Sequence, residues 1–150
     1  MPMSTKVTMH FTIEELYASA TAKAKGINNT PGVKELINLV YLAAYVLEPL
    51  RVAMKEPVPI SSGYRCQRLN AVVGGVSNSQ HMKGQAADLS IGGDRAKGRK
   101  WFEYIKNHLP FDQLIWEKNP RTGTEWVHVS FVHPDFGRNR RQVLDNYLKK

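Results

Sequence analysis

The segment SNSQHMKGQAADLS, residues 77–90, contains two side chains that can bind a metal ion. His81 offers an imidazole nitrogen and Asp88 a carboxylate, and the segment between them shows no helical periodicity. A zinc ion that takes part in a reaction has three protein ligands and keeps a fourth position for water. His128, in the β-rich run EWVHVSF, can provide the third donor. Two imidazoles and one carboxylate form a mixed nitrogen and oxygen set that suits zinc.

Each of these residues also has an ordinary structural interpretation when it is taken alone. A single histidine on a strand is more often a structural residue than a ligand, and the pattern HxxG is common in turns. Gly84 lets the backbone turn tightly between the first two candidate ligands, while Ala86 and Ala87 leave room for a neighbouring strand. The interpretation as a metal site therefore depends on the three polar side chains converging in the fold.

The composition is that of a globular chain, and it restricts which side chains can hold a metal. The 150 residues are 42% apolar and 23% charged, which predicts one domain spanning 1–150. The only cysteine, Cys66, excludes an internal disulfide framework and a zinc finger built on several cysteines. No uninterrupted apolar run reaches the roughly 18 residues that a membrane helix needs.

The charge and the N-terminal segment bear on where the chain acts. The formal net charge is +8, which favours an anionic partner such as nucleic acid, a membrane surface or bacterial cell wall. The first residues, MPMSTKVTMHFTIEEL, lack the apolar core of a signal peptide. We therefore expect synthesis in the cytoplasm, with action elsewhere only after release by a separate route.

Helical patterns occupy the first part of the chain, and β-rich runs occupy most of the second. Residues 11–26 predict a helix that begins with a capping box formed by Thr12 and Glu15. Apolar residues recur at helical spacing through 29–51 and predict the main core helix. Two β-rich runs within 111–131 flank turn-forming residues and predict an antiparallel hairpin. This order of elements indicates an α+β fold.

Two motifs together carry a resemblance to a known family. SQHMKGQAAD fits the pattern S-x-H-x-x-G-x-A-x-D, and WVHVS follows about forty residues later. The chain resembles the zinc D-Ala-D-Ala peptidases of the M15 class, particularly phage and bacterial cell-wall peptidases, over most of 60–131. The resemblance implies that His81, Asp88 and His128 are zinc ligands. It also implies the fold shared with hedgehog signalling domains, with a mainly antiparallel central sheet and N-terminal helices packed against it.

The resemblance implies that a carboxylate serves as general base, and two glutamates are candidates. Glu125 lies three residues before His128, the spacing seen in several relatives. Residues three apart on a regular strand point to opposite faces, so Glu125 needs a bulge to reach the metal. Glu117 closes the preceding β-rich run, and a hairpin would bring it beside the strand of His128. We prefer Glu117 and keep Glu125 as the alternative.

Three further residues are candidates for substrate binding. Arg65, in SGYR, matches the family's substrate-clamping arginine, whose fork can hold a carboxylate or a developing oxyanion. Without the resemblance it would be interpreted as a surface arginine in an ion pair. Ser79 and Gln67 can donate hydrogen bonds at the rim of the site, although roles in a turn and on a helix surface explain them equally well.

The resemblance implies a zinc metallopeptidase that cuts peptidoglycan stem peptides, either as a D,D-carboxypeptidase or as an endolysin-type endopeptidase. The small size and the N-terminal segment fit a phage or prophage lysin that acts in the cell wall or periplasm. We expect a monomer without a nucleic-acid or membrane partner, because charge alone supports nucleic-acid binding and no recognition motif accompanies it. The alternative is a non-catalytic, zinc-stabilised domain that binds cell wall on the same scaffold.

Overall fold

A computed structural model describes residues 5–148. These residues form a five-stranded sheet, with helices before it in the chain and between its strands. The strands are β1 (Ile60–Ser62), β2 (Ala86–Ser90), β3 (Gln113–Lys118), β4 (Glu125–Ser130) and β5 (Gln142–Leu144). Their order across the sheet is β1-β2-β4-β3-β5.

Five α-helices accompany the sheet, and short turns of other helical types connect or precede them. The α-helices are α1 (Ala20–Lys25), α2 (Val33–Leu42), α3 (Glu48–Met54), α4 (Gln67–Val72) and α5 (Arg95–His108). A π-helical turn (Ala43–Leu47) joins α2 to α3 without interruption. Pro49, two residues after the turn, has no N–H to donate to it. Two 3₁₀ turns (Glu14–Leu16 and Gln80–Lys83) complete the helical elements.

The continuous helix Val33–Met54 lies in the core, as the spacing of its apolar residues predicts. Leu39, Leu42 and Leu50 have no exposed surface, and they belong to the same buried cluster as Trp101 of α5 and residues of the sheet. By length and composition this helix is also apolar enough to cross a membrane, although no uninterrupted apolar run in the sequence indicates it. The core helix of a soluble protein has the same length and composition.

The N-terminal helix predicted over residues 11–26 is in fact two short elements. The capping box forms, since Thr12 N–H donates to Glu15 Oε2 (2.9 Å) and Glu15 N–H donates to Thr12 Oγ1 (3.3 Å). The helix nevertheless ends after one 3₁₀ turn, because the carbonyl of buried Leu16 accepts the N–H of Tyr64 (2.8 Å) from a distant segment. A new cap at Ser19 then begins α1.

The α+β class is confirmed, but the expectation of a mainly antiparallel sheet is wrong, because the sheet is mixed. The hairpin of β3 and β4 and the pairs on its β2 side are antiparallel, whereas β5 runs parallel to β3. β4 ends at the end of the sheet where β3 begins, and the segment 131–141 crosses there to the far side of β3. Asp112 holds it there, since its carbonyl accepts the N–H of Gln142 (2.9 Å). A strand that starts beside the start of β3 must run parallel to it.

Asn29 connects the N-terminal segments to the loop after β1, a role that no sequence pattern indicates. Its side chain is buried, and its Nδ2 donates to the carbonyls of Tyr17 (2.8 Å) and Tyr64 (3.0 Å). Its Oδ1 accepts the N–H of Cys66 (2.7 Å). Three backbone groups from two distant parts of the chain therefore depend on one amide.

Replacement of Asn29 by alanine should destabilise the protein by about 2 kcal/mol or more, because it leaves buried backbone groups without partners. Urea-induced unfolding measures the change. Asn28→Ala is the matched control, since Asn28 is exposed and its Oδ1 accepts only the adjacent N–H of Thr30. We expect the control to change stability by about 0.5 kcal/mol. Equal losses in the two variants would show that the buried amide has no special role.

Candidate active site and metal centre

The pairing of β2 with β4 brings two of the three predicted ligands together. Asp88 and His128 are direct partners across the two strands, so their side chains project from the same face of the sheet. His128 Nδ1 lies 3.0 Å from Asp88 Oδ1. On the other side of His128, β3 contributes Ile115 at the same level. His128 therefore lies between Asp88 and Ile115 in a row of three residues that crosses the sheet.

The third predicted ligand, His81, comes from the 3₁₀ turn that precedes β2. Ser79 caps this turn by accepting the N–H of His81 (3.1 Å), and Gly84 ends it with a φ of 72°. His81 Nε2 lies 3.4 Å from Asp88 Oδ1, while its Nδ1 lies 2.7 Å from the carbonyl oxygen of Gly63. Since a carbonyl only accepts, Nδ1 carries the proton, and Nε2 presents its lone pair to the site.

The three side chains form a donor set that fits a zinc ion. One ligand atom from each of His81, Asp88 and His128 lies within 4.8 Å of the others. Burial alone would raise the pKa of Asp88, but His81 and the hydrogen bond from His128 outweigh it and hold the pKa below its usual range. Asp88 is therefore ionised, as a metal ligand must be. Two imidazole nitrogens and one carboxylate oxygen leave a fourth tetrahedral position open.

Glu117 lies in the same cleft, which has a volume of about 540 Å³. It pairs with Trp126, two residues before His128, and both side chains line the cleft. Burial raises the pKa of Glu117, and the charge of Asp88 adds to this effect, while the histidines and Arg65 oppose it. The carboxylate thus has a proton affinity above that of an ordinary surface glutamate.

Arg65 borders the cleft on the side of β1. Its backbone N–H donates to the carbonyl of His81 (3.0 Å), which ties the loop after β1 to the turn that carries the ligand. Burial lowers the pKa of its guanidinium, and the carboxylates of Asp88 and Glu117 oppose this effect. Its buried Nε has no hydrogen-bond partner among residues 5–148. The side chain is therefore placed to receive an anion.

Glu125, the alternative base, is not among the described residues that line the cleft. The strand is regular at this point, with Glu125 opposite Lys118 and no bulge to turn it towards the metal ligands. Its carboxylate instead accepts hydrogen bonds from Trp116 Nε1 (2.6 Å) and Arg95 Nε (3.1 Å). Glu125 thus connects the hairpin to α5, on the face of β4 away from the ligands.

The two remaining candidates for substrate binding differ in position. Ser79 lines the cleft, but its hydroxyl is occupied as the cap of the turn that carries His81. Gln67 is exposed in the first turn of α4 and is not among the described residues of the cleft.

Sequence reasoning missed several polar residues that shape the cleft. Asn70 is buried, and its Nδ2 donates to the carbonyl of Val76 (2.9 Å), which holds the loop that forms one wall. Gln80 and Arg140 also line the cleft, and both bind the buried carboxylate of Asp112. These contacts join segments far apart in the chain, so spacing carries no signal of them. Only the paired glycines at 74–75 marked an unusual loop.

Gly84 should be essential for positioning His81. Its φ is positive, and a Cβ at this position would collide with the backbone carbonyl oxygen of Glu35. We expect Gly84→Ala to destabilise the protein by about 2 kcal/mol or more and to weaken divalent-metal binding about tenfold. Thermal unfolding and titration with Zn²⁺ measure the two effects.

The control is Gly123→Ala, at a hairpin glycine with a φ of 76°, where an added Cβ would meet no atom within 4 Å. It should cost about 1 kcal/mol of backbone strain and leave metal affinity unchanged. If both variants bind Zn²⁺ with wild-type affinity, the turn does not position His81.

Comparison with known proteins agrees with this site. The family model described as Peptidase M15 matches residues 9–130. A stretch of 47 residues is 47% identical to a zinc D-Ala-D-Ala carboxypeptidase of Streptomyces albus G, and it covers 31% of this chain. The same stretch covers 18% of that relative's length. Since the family model spans most of the chain, including the three candidate ligands, the protein belongs to the peptidase M15 family.

Proposed function

We propose that this protein is a zinc peptidase that hydrolyses peptide bonds in peptidoglycan stem peptides. The observation that carries the proposal is the convergence of His81, Asp88 and His128 in one cleft with a half-buried glutamate and an arginine whose Nε has no hydrogen-bond partner among residues 5–148. Membership of the M15 family supports peptidase activity. The name of the Streptomyces albus G relative supports zinc and a substrate that ends in D-Ala-D-Ala.

His81, Asp88 and His128 are the residues that would hold the zinc ion. A zinc ion held there would lower the pKa of its bound water, so that hydroxide is available near neutral pH, and would polarise the scissile carbonyl. The protein's contribution is to orient the donors. The carbonyl of Gly63 fixes the tautomer of His81, and strand pairing fixes Asp88 beside His128. Such constraints keep a metal site from rearranging during a reaction.

Glu117 is proposed as the general base. It lies on the strand next to that of His128, two residue pairs along and on the same face, so we propose that its carboxylate borders the position of an attacking water. It accepts the proton of that water and then donates it to the leaving amine. Its raised pKa suits the first of these steps, because a carboxylate with higher proton affinity removes a proton from water more readily.

Arg65 is proposed to stabilise negative charge on the substrate. Its guanidinium faces the cleft beside Asp88 and Glu117, and its Nε lacks a partner among residues 5–148. A substrate carboxylate, or the oxyanion that forms at the scissile carbonyl, can accept this hydrogen bond. With zinc bound, an anionic substrate would bring the summed charge of the ion, Asp88, Glu117 and Arg65 close to neutral.

The proposal includes two kinds of cleavage, removal of a terminal D-Ala and hydrolysis within a stem or cross-bridge. The net charge of +8 suits approach to anionic cell wall, and we propose the wall or periplasm as the site of action. A role as a phage or prophage lysin also stays a prediction. So does the expectation that the chain acts as a monomer.

Digestion of purified peptidoglycan, followed by mass spectrometry of the soluble products, tests the proposed activity. We expect zinc-dependent products that disappear on addition of a chelator. Release of D-Ala identifies a carboxypeptidase, and severed stems identify an endopeptidase. His81→Ala should lose both bound zinc and products, because two donors cannot hold the ion in a catalytic geometry. Folded wild-type protein that binds zinc and cell wall but yields no product would instead be a binding domain.

Glu117→Gln and Glu125→Gln distinguish the two candidate bases. Glu117→Gln should lower turnover about 100-fold or more while zinc stays bound, because the amide cannot accept the proton of water. Glu125→Gln should keep turnover within a few-fold and lower stability by about 1 kcal/mol, since it weakens the bonds to Arg95 and Trp116. Metal content and thermal unfolding are measured for both. Loss of turnover in Glu125→Gln alone would reverse the assignment.

A further inference from the structure

A second guanidinium, that of Arg140, lies in the cleft and is held on one edge by a buried carboxylate. The backbone N–H of Arg140 donates to Asp112 Oδ1 (2.8 Å), its Nε to Oδ1 (3.0 Å) and its Nη2 to Oδ2 (2.6 Å). The side chain of Asp112 is 3% exposed, whereas that of Arg140 is 57% exposed. Asp112 therefore fixes one edge of the guanidinium, and the other edge is exposed to the cleft.

The outer edge of Arg140 has unused donors. No hydrogen bond from its Nη1 is found within residues 5–148, and Nη2 bonds only to Asp112. An arginine offers five N–H donors in a planar fork, so one edge can bind a carboxylate of the protein while the other binds a ligand. Arg141, the next residue, differs because its guanidinium donates to the carbonyls of Leu109 and Lys106.

Arg140 lies at the end of the cleft opposite Glu117. Along β3, the side chains of Glu117, Ile115 and Gln113 line the cleft in that order, with Ile115 beside His128. Gln113 pairs with Gln142, two residues after Arg140. Two residues of strand advance about 7 Å, which separates Gln113 from the level of the ligands, and Arg140 lies at this end of the cleft because Asp112, the residue before Gln113, holds it there.

The same carboxylate connects Arg140 to the turn that carries His81. Gln80 Nε2 donates to Asp112 Oδ2 (3.0 Å), and Gln80 is the residue directly before His81. The position of the guanidinium relative to the candidate metal site is thus set by a buried, hydrogen-bonded group rather than by a flexible side chain. Such a group can discriminate between ligands, because little conformational entropy is lost on binding.

We propose that Arg140 determines specificity by binding a carboxylate on the substrate peptide about two residues from the scissile bond. An extended peptide advances about 3.3 Å per residue, so a group at this distance from the ligands is two residues along the chain. The substrate class is therefore an acidic peptide, and its carboxamide counterpart is a poor substrate. This inference rests on the proposed peptidase function.

The pairing of Arg140 with Asp112 makes the recognition directional. The buried carboxylate balances the charge of the arginine, so the pair adds little net charge to the cleft. Because the net charge of the pair is small, it attracts anions in general only weakly. The preference for a carboxylate then arises from the geometry of the free N–H groups of Arg140. Arg65, at the other end of the cleft, lacks such a balancing hydrogen bond at Nε.

Peptides that differ only in a carboxylate or a carboxamide test the proposal. The group is placed at the second residue before the cleaved bond in one pair and at the second residue after it in another. For one of the two pairs, wild-type protein loaded with zinc should show a kcat/KM about 10- to 100-fold higher for the carboxylate peptide. No preference in either pair would overturn the proposal.

Arg140→Gln removes the free edge but keeps an N–H donor for Asp112, and it should abolish this preference. Arg138→Gln is the matched control, since it removes one positive charge from an exposed position two residues away and should retain the wild-type preference. Equal loss for carboxylate and carboxamide peptides in Arg140→Gln would show a structural role only. If that variant fails to fold, Arg140→Lys should lower the preference about tenfold, because lysine lacks the fork. An unchanged preference in Arg140→Lys contradicts the proposal.

A binding measurement separates this inference from the proposed function. Calorimetric titration of zinc-loaded Glu117→Gln with the same peptides reports affinity without turnover. We expect the carboxylate peptide to bind at least about tenfold more tightly, and Arg140→Gln introduced into this background to remove the difference. Discrimination in binding without hydrolysis of any peptide by wild-type protein would refute the peptidase while supporting the role of Arg140. Hydrolysis without discrimination between the two peptides would support the peptidase and refute the role of Arg140.

Discussion

The site depends above all on the register between β2 and β4. Because Asp88 is paired with His128, the two donors project from one face of the sheet at neighbouring positions. A shift of one residue would turn one of them to the opposite face, where the core lies. The buried alternate residues, such as Leu89 and Val129, oppose that shift, because their apolar surface would then be exposed. Packing of the core thus secures the geometry of the ligands.

The other groups of the cleft are attached to this pair by polar contacts from outside the sheet. His81 is held by the carbonyl of Gly63 and by the cap at Ser79, and both partners lie in loops. Those loops are held in turn by side-chain amides, the buried Asn29 on the side of β1 and the half-buried Gln80 on the side of β5. The arrangement places paired strands under the three candidate ligands and hydrogen-bonded loops around the cleft.

The charges in the cleft follow a simple spatial order. Three donors that favour a cation lie in the middle, a carboxylate of raised pKa lies on one side, and arginines border the two ends. A bound cation would compensate the negative charge at the centre, and an anionic peptide would compensate the arginines. Charge is therefore arranged in a way that suits a cation and an anionic peptide together. Glu125, although closer to His128 in sequence, takes no part because it lies on the other face.

The sequence by itself determined most of the elements and the three candidate donors, since capping residues, strand alternation and the two motifs are local signals. It predicted the α+β class, the hairpin and the core helix, and it indicated His81, Asp88 and His128 as the donors. Tertiary structure alone decided that β5 runs parallel to β3, and it placed in the cleft Glu117, which the sequence already favoured over Glu125. It alone showed that Asp112 holds Arg140 in the cleft. These features depend on contacts between segments far apart in the chain. Such contacts produce no local or periodic pattern in the sequence, so they cannot be predicted from it.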